Sequence, residues 1–502
     1  MSARPLASLL AGAGVVPLAP FPTSLLVRGV RIDSRTVQPG DLFFALRGAV
    51  DDGARHARHA VDNGAVAVVA ESPSPEPGPG VPWIRVADAR LAMGLVAREW
   101  YGRPDEAMTL VGITGTKGKT TVAYLVESIA QAAGRSAGRI GTVGYAFGGR
   151  EMEASRTTPE ATDLFEILAC MRDGGTEVVA MEVSSHALAL NRVAGARFPV
   201  AAFLNLGHDH LEFHGGSDAY FEAKASLFDR LSSGDTAILP SDDPRGHVLA
   251  GRTRARVLVF GHAENADVRI EEERFGLAGS VARLMTPAGR IDVRTTLPGR
   301  FNVLNAAAAA ACGMALGFDG PGIAAGIAKL RSVPGRLEPV SAGQPFSVFV
   351  DYAHTEESLA AVLDAVRELT TARLVVVFGC GGDRDRGKRF GMGRTAALKA
   401  DRVVVTSDNP RREDPLSILR DVEAGVLSVA GAAARSSFHP DRAVAIRLAL
   451  SEAQSGDAVV VAGKGHETTQ TFDGRVEPFD DRVMARRELG AMGFSGGSRA
   501  DA

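Results

Sequence analysis

The segment of this chain best suited to chemistry is a glycine-rich turn between an apolar strand and a helix. The apolar residues 109–114 are followed by Gly115, Thr116, Lys117, Gly118, Lys119, Thr120 and Thr121. Glycines let backbone N–H groups approach phosphate oxygens, and a helix N-terminus favours negative charge. Lys119 would reach the outer phosphates, and the Thr120 hydroxyl would coordinate Mg²⁺. The strict P-loop pattern fails where Ile113 replaces the first glycine, but an incidental lysine beside a simple turn does not explain the whole segment. It predicts binding of a nucleoside triphosphate.

Two further polar segments, Glu182–His186 and Asn205–His214, directly follow or end predicted strands. Functional groups in open α/β sheets gather at the carboxyl ends of strands. A zinc site of a hydrolase would need imidazole and carboxylate ligands, which are present at His208, His210, Glu212 and His214. The nucleotide loop already implies Mg²⁺, however, and Glu182 offers the hard oxygen ligand that this ion prefers. That two of the histidines only hold their own loop together remains an alternative.

The elements that must position these residues have the pattern of an α/β fold. From residue 109 onward, apolar strands alternate with helical patterns, which is typical of βαβ units on a parallel sheet. Turn residues at 332–336 predict a boundary. Four buried strands beyond it predict a second, smaller doubly wound unit, at 348–350, 374–378, 403–406 and 458–462. Three domains are therefore predicted, at 1–105, 106–333 and 334–502.

The composition is that of a large protein with balanced charge. The 502 residues carry a net charge of −3, so nothing global attracts nucleic acid or anionic lipid. The three cysteines lie far apart without metal-ligand spacing, which fits a reducing cytoplasm. The apolar segment 6–19 is interrupted by proline and predicts a short helix rather than a signal peptide. No apolar run approaches the roughly 20 residues that a membrane span requires, and the alanine run at 306–311 predicts a packed core helix.

Motifs spread over nearly the whole chain occur in one order. They are Arg31–Arg35, Pro39–Gly48, Gly115–Thr121, Glu182–His186, Asn205–His214, Pro298–Ala306, Gly335–Glu338, Asp351–His354, Gly379–Asp385 and Gly463–Glu467. In this order they resemble the Mur ligase family of peptidoglycan assembly. One such motif would be weak evidence, but their joint order makes coincidence improbable.

The resemblance implies an ATP-dependent amide ligase with an N-terminal α/β UDP-binding domain, a central P-loop-type parallel-sheet ATPase domain and a C-terminal Rossmann-like domain that binds an amino acid. Diaminopimelate-adding members phosphorylate the D-glutamate carboxylate of UDP-MurNAc-L-Ala-D-Glu with ATP. The amine of meso-2,6-diaminopimelate then attacks the acyl phosphate. Two anions meet in the first step, so positive charge must bridge them. Lys119, a Mg²⁺ held by Thr120 and Glu182, and a second Mg²⁺ near His210 would supply that charge.

The resemblance also assigns residues to two of the substrates. For ATP it implies residues 115–121 together with Asn305, Arg336 and Asp351. For UDP-MurNAc-L-Ala-D-Glu it implies Ile32, Ser34, Thr157, Thr158, Ser184, Arg192 and Lys224. Physically, Arg192 can clamp an anion.

Three details of these assignments stay open. Thr157 and Thr158 precede Pro159 and could equally be simple turn residues. Lys117 occupies a position that is Asn in many relatives and adds charge near the phosphates. Leu190 stands where some relatives have Gln, which removes one possible hydrogen bond to the peptide substrate.

On spacing alone, Lys224 is an ordinary helical lysine of the kind that faces solvent. The resemblance instead places it at a carbamylated lysine, whose N6-carboxylate binds the second Mg²⁺. Carbamylation requires CO₂ and a neutral amine, so the pKa of this lysine would have to fall from its usual value of about 10.4.

The choice of amino acid depends on the segment Asp408, Asn409, Pro410 and Arg411. The diaminopimelate-adding members of the family carry this sequence, whereas lysine-adding members usually lack the arginine. Diaminopimelate has a distal carboxylate, which a guanidinium can bind through two parallel hydrogen bonds. Arg384, Gly463 and Glu467 would complete the pocket, with Glu467 facing a substrate ammonium. The alternative is that Arg411 and Arg412 are solvated loop charges.

Three other functions are weighed against this one: a lysine-adding ligase, a folylpolyglutamate-synthetase-like ligase and a P-loop ATPase that is not a ligase. The segment 31–48 argues against the folate enzyme, which needs no UDP-sugar site. A simple ATPase would leave the second α/β unit unexplained. The predicted partners are small molecules only, and the resemblance implies a cytoplasmic monomer.

Overall fold

The computed structural model describes residues 2–48, 51–74, 80–207 and 209–494, so His208 lies outside the described residues. The chain forms two compact units, one of residues 1–269 and 308–326 and one of residues 270–307 and 327–502. The predicted domain 1–105 falls within the first unit, whereas the predicted domain 106–333 is divided between the two units. The boundaries predicted at 105 and 333 remain predictions. Within the described ranges, no helix is long and apolar enough to cross a membrane.

The N-terminal part of the first unit holds an antiparallel pair of two-residue strands and, separately, a small four-stranded parallel sheet. Its elements are β1 (Arg4–Pro5), α1 (Leu6–Gly12), β2 (Leu26–Val27), β3 (Gly29–Arg31), β4 (Asp41–Phe44), α2 (Ala57–Asp62), β5 (Ala67–Ala70), β6 (Trp83–Arg85) and α3 (Ala89–Trp100). Strands β3 to β6 pair in chain order and are parallel throughout. The predicted N-terminal helix is confirmed as α1, whose Leu6, Leu9 and Leu10 are buried.

A longer sheet in the same unit contains the strand that the glycine-rich loop at 115–118 follows. Its elements are β7 (Thr109–Thr114), α4 (Lys119–Ala132), β8 (Ala137–Ile140), β9 (Tyr145–Phe147), β10 (Arg150–Met152), α5 (Ala161–Asp173), β11 (Val178–Glu182), α6 (Ser185–Ala189), β12 (Val200–Phe203), α7 (Leu211–His214), α8 (Ser217–Asp229), β13 (Thr236–Pro240), α9 (Pro244–Arg252) and β14 (Arg256–Gly261). The order is β10-β9-β8-β11-β7-β12-β13-β14. Strands β8, β11, β7, β12, β13 and β14 are parallel, as predicted, because helical connections return the chain to the same edge.

The remaining elements lie mainly in the second unit. They are β15 (Val268–Gly276), β16 (Gly279–Thr286), β17 (Gly289–Thr295), α10 (Arg300–Ala315), α11 (Gly320–Lys329), β18 (Glu338–Pro339), β19 (Ser347–Asp351), α12 (Glu356–Arg367), β20 (Leu374–Cys380), α13 (Gly387–Lys399), β21 (Arg402–Ser407), α14 (Pro415–Leu427), β22 (Ser436–His439), α15 (Arg442–Glu452), β23 (Ala458–Ala462), β24 (Thr469–Phe472), β25 (Arg475–Pro478) and α16 (Asp481–Ala491). Helices α10 and α11 cross the boundary between the units. The predicted core helix is confirmed, since every residue of the alanine run 306–311 is buried in α10.

The second unit contains the predicted doubly wound sheet, with the order β18-β19-β23-β20-β21-β22. Its four central strands match the four predicted, and they are parallel. Every residue of β20 and β23 is buried. Each valine or leucine buried there contributes about 1.5–3 kcal/mol relative to exposure. That core makes the carboxyl edge of the sheet a firm base for the segments that follow β19, β20, β21 and β23.

Candidate active site

The loop between β7 and α4 has the backbone that a phosphate cradle requires. Gly115 and Gly118 have positive φ angles of 148° and 89°, which a residue with a Cβ atom adopts only with strain. Lys119 begins α4, and its Nζ donates to the carbonyl oxygens of Gly115 at 2.8 Å and Thr116 at 2.9 Å. Asn205 holds the loop from the end of β12, because its Oδ1 accepts from Lys117 N at 2.9 Å. The loop is thus fixed in shape, and it carries an ammonium group at a helix N-terminus.

The two predicted Mg²⁺ ligands of the loop region, Thr120 and Glu182, are in contact. The Thr120 hydroxyl donates to Glu182 Oε2 at 3.1 Å, and only 1 % of Glu182 is exposed. Thr142 donates its backbone N–H to Glu182 Oε1 at 2.8 Å and its hydroxyl to Oε2 at 3.1 Å. A buried carboxylate beside a threonine hydroxyl is the hard oxygen donor set that Mg²⁺ prefers, so these residues fit the ion. A side chain at Gly141 would meet Glu182 Oε1 at 2.2 Å, which explains the glycine there.

Thr142 is a site residue that the sequence analysis missed. It lies just after β8, which neighbours β11 in the sheet, so its position repeats the rule that placed Glu182. Thr142 could have been found by looking for polar residues after the end of every parallel strand. The strand Ala137–Ile140 was not recognised, because it includes an arginine and is less apolar than its neighbours.

Lys224 is buried rather than solvent-facing, which corrects the interpretation from helical spacing alone. It lies on α8 with 1 % exposure, and its Nζ donates to Gly115 O at 3.0 Å. Lys119 donates to the same oxygen, so the Nζ atoms of two lysines lie at one point of the loop. Burial lowers the pKa of Lys224 well below its ordinary value, and the charge of Lys119 lowers it further, while Asp209 opposes the shift. The direction of this shift is the one that carbamylation requires, and the modification itself remains a prediction.

His210 lies at the start of α7 with a left-handed backbone, at φ 55°. Its ring packs 4.6 Å from that of His186, and its Nδ1 is 3.6 Å from Asp209 Oδ1. His186 also stacks on Phe213 at 4.1 Å. These ring contacts join the segment at 209–214 to His186 of α6. Among the described residues, no three histidine, cysteine or acidic side chains are grouped as a metal site, and the metal-binding role of His210 remains a prediction.

Three of the residues predicted for the peptide substrate, Thr157, Thr158 and Ser184, lie around Glu182 and Thr142. The Thr158 hydroxyl is fully buried and donates to Glu182 O at 2.8 Å, while it accepts from Ser184 N at 3.1 Å. The Thr157 hydroxyl lies 3.0 Å from that of Thr142. Ser184 caps α6 by accepting from Ala187 N. Thr158 therefore has a structural role, and Thr157 and Ser184 lie beside the predicted metal ligands.

Arg192 belongs to a cluster of arginines that the sequence analysis did not foresee. Its Nε is 2.9 Å from Glu160 Oε1, and Arg156 at 2.8 Å and Arg90 at 3.8 Å approach the same carboxylate. Three guanidinium groups around one carboxylate leave an excess of two positive charges, which suits an anionic substrate. Burial lowers the pKa of Arg192 from its ordinary value. Ile32 and Ser34 lie elsewhere in the unit, at the end of β3, where the Ser34 hydroxyl is 3.0 Å from His59 Nδ1.

In the second unit, two of the residues predicted for ATP lie on adjacent segments. Asp351 ends β19, and its carboxylate accepts from Leu337 N at 2.7 Å and from Ala353 N at 2.9 Å. The guanidinium of Arg336 lies 5.5 Å from the centre of the Tyr352 ring. Asn305, on α10, donates to Asn302 Oδ1 at 3.0 Å. Asp351 thereby fixes the backbone that carries Arg336.

The residues predicted for diaminopimelate follow three consecutive strands of the sheet, β21, β20 and β23. Asn409 Nδ2 donates to Glu467 Oε2 at 2.8 Å, which joins the segments after β21 and β23. Arg411 Nη1 donates to Gly382 O at 2.7 Å, which joins the segments after β21 and β20. A Cβ atom on residue 382 would clash with Pro410 O, so only glycine allows the two segments to lie this close. The three loops therefore form one surface at the carboxyl edge.

The two neighbouring arginines of this segment differ in environment. Arg411 is half-buried, and its backbone has a φ of 54° and pairs with Thr471 and Asp473 of the β24–β25 hairpin. Arg412 is exposed and forms an ion pair with Asp383 at 3.0 Å. The alternative of a solvated loop charge therefore describes Arg412 and not Arg411. Arg384 is exposed on the loop after β20.

Lys464 is a buried lysine that sequence reasoning did not single out. Its side chain is fully buried, and Nζ donates to Glu467 Oε2 at 3.1 Å and to Asn409 Oδ1 at 3.3 Å. Asp408 lies nearby, with Oδ1 3.9 Å from Lys464 Nζ. Burial raises the pKa of Asp408, while Arg442 and Lys464 oppose the shift. Gly463, with a φ of 116°, lets the chain turn beside this carboxylate.

Comparison with known proteins finds matches along most of this chain. The family descriptions "Mur ligase family, catalytic domain", "Mur ligase middle domain" and "Mur ligase, glutamate ligase domain" match residues 26–101, 113–313 and 335–465. A UDP-N-acetylmuramoyl-L-alanyl-D-glutamate–2,6-diaminopimelate ligase of Solibacter usitatus is 46 % identical over 95 % of this chain and 96 % of the relative. Proteins of the same name from Geobacillus kaustophilus and Streptomyces coelicolor are each 45 % identical. They cover 92 % and 97 % of this chain, and 95 % and 97 % of their own lengths.

Solved structures also resemble this chain over most of its length. A structure of a UDP-N-acetylmuramoyl-L-alanyl-D-glutamate–2,6-diaminopimelate ligase aligns with a TM-score of 0.70 at 32 % identity, over 98 % of this chain and all of the other. The MurF ligase of Thermotoga maritima in complex with ADP aligns with a TM-score of 0.62, over 93 % of this chain and 99 % of the other, at 21 % identity. A Mycobacterium tuberculosis folylpolyglutamate synthase aligns with a TM-score of 0.60, over 74 % of this chain and 92 % of the other, at 21 % identity. The last two likenesses concern the fold alone. The predicted α/β architecture is confirmed.

Proposed function

Because the chain belongs to the Mur ligase family, we propose that it is an ATP-dependent ligase that joins meso-2,6-diaminopimelate to UDP-MurNAc-L-Ala-D-Glu. The observation that carries this proposal is the pair of lysine side chains, Lys119 and Lys224, whose Nζ atoms both donate to the carbonyl oxygen of Gly115. Lys119 supplies positive charge beside the Thr120–Glu182 contact, where a nucleotide phosphate and a peptide carboxylate would meet, and Lys224 supplies a buried amine next to it. The relatives of 45–46 % identity supply the identity of the substrates.

In the proposed reaction, the loop at 115–121 binds the phosphates of ATP through backbone N–H groups and the Lys119 ammonium. Arg192 and its neighbouring arginines attract the anionic peptide substrate. Mg²⁺, when held by Thr120 and Glu182, would neutralise charge on the phosphates and so assist their transfer. The D-glutamate carboxylate takes the γ-phosphoryl group, and the diaminopimelate amine then displaces phosphate to form the amide. Asn305, Arg336 and Asp351 are proposed to bind the rest of ATP, and Ile32 and Ser34 the UDP group.

A direct assay tests the proposal. The protein is incubated with Mg²⁺, ATP, UDP-MurNAc-L-Ala-D-Glu and either meso-diaminopimelate or L-lysine, and phosphate release and the peptide product are measured. Release that requires both the peptide and diaminopimelate is expected. Release with neither substrate would identify an ATPase, and equal turnover of lysine would contradict the proposed amino acid. Since ATP and UDP-linked precursors are cytoplasmic metabolites, the proposed enzyme acts in the cytoplasm, and we propose that it does so as a monomer.

Lys224 is proposed to carry an N6-carboxylate formed from CO₂ with release of a proton, and this group with His210 would hold a second Mg²⁺. We expect protein equilibrated with ¹³C-bicarbonate to give one carbamate ¹³C resonance that Lys224→Arg abolishes. Arginine has about the length of the unmodified lysine but cannot form the same carbamate. The resonance should weaken as the pH falls, because a protonated amine cannot attack CO₂. An unchanged resonance in Lys224→Arg would refute the modification at this residue.

Arg411 is proposed to bind the distal carboxylate of diaminopimelate. Its guanidinium is oriented by Gly382 O and still has N–H groups to donate. We expect Arg411→Ala to lower kcat/KM for diaminopimelate about 100-fold, the equivalent of about 2.7 kcal/mol, because a charged two-bond contact is lost. The low turnover of L-lysine, which has no distal carboxylate, should change far less. Arg412→Ala is the matched control and should affect neither substrate. Equal losses for both amino acids in Arg411→Ala would contradict the contact.

A further inference from the structure

A buried arginine joins two strand ends that do not neighbour each other in the sheet of the second unit. Strand β20 lies between β21 and β23, so the ladder hydrogen bonds of the sheet do not link β21 to β23 directly. Arg442 links them, because Nη1 donates to Ser407 O at 3.2 Å and Nη2 donates to Ala462 O at 3.0 Å. Ser407 is the last residue of β21 and Ala462 the last of β23. The two segments proposed for diaminopimelate start at the very next residues.

Asp481 fixes the plane of this guanidinium. Its carboxylate accepts from Arg442 Nε at 2.7 Å and from Nη2 at 2.6 Å, and both side chains are completely buried. With the two carbonyl contacts, the guanidinium makes four hydrogen bonds, which nearly exhausts its five N–H groups. Arg442 and Asp481 are the first residues of α15 and α16. A buried ion pair between two helix starts therefore sets the spacing of the strand ends.

The spacing of the strand ends determines whether the two segments that follow them can form hydrogen bonds with each other. Two residues beyond Ser407, Asn409 donates to Glu467 at 2.8 Å, and Lys464 contacts both side chains. Gln470 adds a further contact, since its Nε2 donates to Asp408 O at 2.6 Å. These contacts span only hydrogen-bond lengths, so a shift of one strand end against the other would break them. The same shift would move Arg411 relative to Glu467.

We propose that Arg442, held by Asp481, is a positioning residue for the amino-acid substrate: it fixes the distance between the Asp408–Arg411 and Gly463–Glu467 segments. The inference rests on the proposed function, since it concerns the site assigned above to diaminopimelate. Arg442 does not touch the substrate. It acts through the carbonyl groups of Ser407 and Ala462, and its effect falls on binding of the amino acid.

The test compares Arg442→Lys with Arg373→Lys. Lysine keeps the charge at 442 but cannot form the planar four-bond contact. Arg373 forms a similar but partly exposed pair with Asp457 at 2.6 Å, at the opposite edge of the same sheet, where it joins the starts of β20 and β23. KM for diaminopimelate, for ATP and for the peptide substrate are measured for each protein, together with the melting temperature.

We expect Arg442→Lys to raise KM for diaminopimelate about 10-fold or more, because a misplacement of about 1 Å is costly at a binding site, and to change the other two KM values about twofold at most. Arg373→Lys should lower the melting temperature and leave KM for diaminopimelate unchanged. Equal effects of the two variants, or equal changes in all three KM values, would overturn the inference. If Arg442→Lys does not fold, Asp481→Asn, which frees the guanidinium plane, must show the same selective effect. Failure of the unaltered protein to use diaminopimelate would instead refute the proposed function.

Discussion

Replacing Lys119 by alanine is expected to reduce ligase turnover about 1000-fold, since one preorganised charge at a phosphoryl-transfer site supplies about that factor. The ammonium begins α4 and lies on the loop that is proposed to bind the phosphates. The fold should survive the change, because Lys224 still donates to Gly115 O from α8. Phosphate release and product formation are measured at saturating substrates, with circular dichroism to confirm the fold.

Lys399→Ala is the control for loss of a lysine. Lys399 pairs with Asp364 on the surface of the second unit, so turnover should not change. A second readout is specific to the proposed site. Because the charge of Lys119 helps to lower the pKa of Lys224, its removal should raise that pKa and weaken the carbamate ¹³C resonance at a given pH. Full turnover by Lys119→Ala would end the proposal that this loop delivers the phosphoryl group.

Glu182→Gln is expected to raise the Mg²⁺ concentration for half-maximal activity and to lower kcat/KM about 100-fold or more, because a metal ion at such a site contributes several kcal/mol. Glutamine keeps the size of the side chain and an acceptor for Thr142 N, so the local structure should persist. What it removes is the negative charge beside the Thr120 hydroxyl. The measurement is a Mg²⁺ titration of turnover at fixed ATP.

The control residue for this titration is Glu177, at the opposite end of strand β11. Glu177 precedes β11, whereas Glu182 ends it, and Glu177 forms an ion pair with Arg135 at 2.8 Å near the surface. Glu177→Gln should leave the Mg²⁺ requirement as it is in the unaltered protein. A Glu182→Gln protein with an unchanged Mg²⁺ requirement would show that the carboxylate does not hold the ion.

The parts of the fold that the sequence predicted are those encoded by local patterns. The strand at 109–114, its glycine turn and the helix from Lys119 are all consecutive in the chain, so apolar runs and glycines indicate them directly. The four central strands of the second sheet were predicted for the same reason. The edge strand Ser436–His439 was missed, because it is only half-buried and has no apolar run.

The parts of the candidate site that the sequence did not predict depend on contacts between distant residues. The burial of Lys224 follows from packing of α8 against the loop at Gly115, more than 100 residues earlier, and helical spacing carries no trace of it. Thr142 lies beside Glu182 because β8 neighbours β11, and, in the second unit, Lys464 lies beside Asn409 on a segment that follows β23, the neighbour of β20. Strand order is decided by the whole sheet, so residues of this kind are found only once the topology is known.

The backbone of Arg411 has a consequence for how the preference for an amino acid can change over generations. At a φ of 54°, an arginine costs about 1–2 kcal/mol that glycine avoids and asparagine largely avoids. Natural selection for stability alone would therefore favour exchange of this arginine for either of the two smaller residues. Descendants that no longer need the second carboxylate can relieve this strain by losing the arginine, at the cost of its hydrogen bond to Gly382 O, whereas a lineage that regains the arginine must accept the strain again. The strain at Arg411 therefore makes a preference for the second carboxylate easier to lose than to regain.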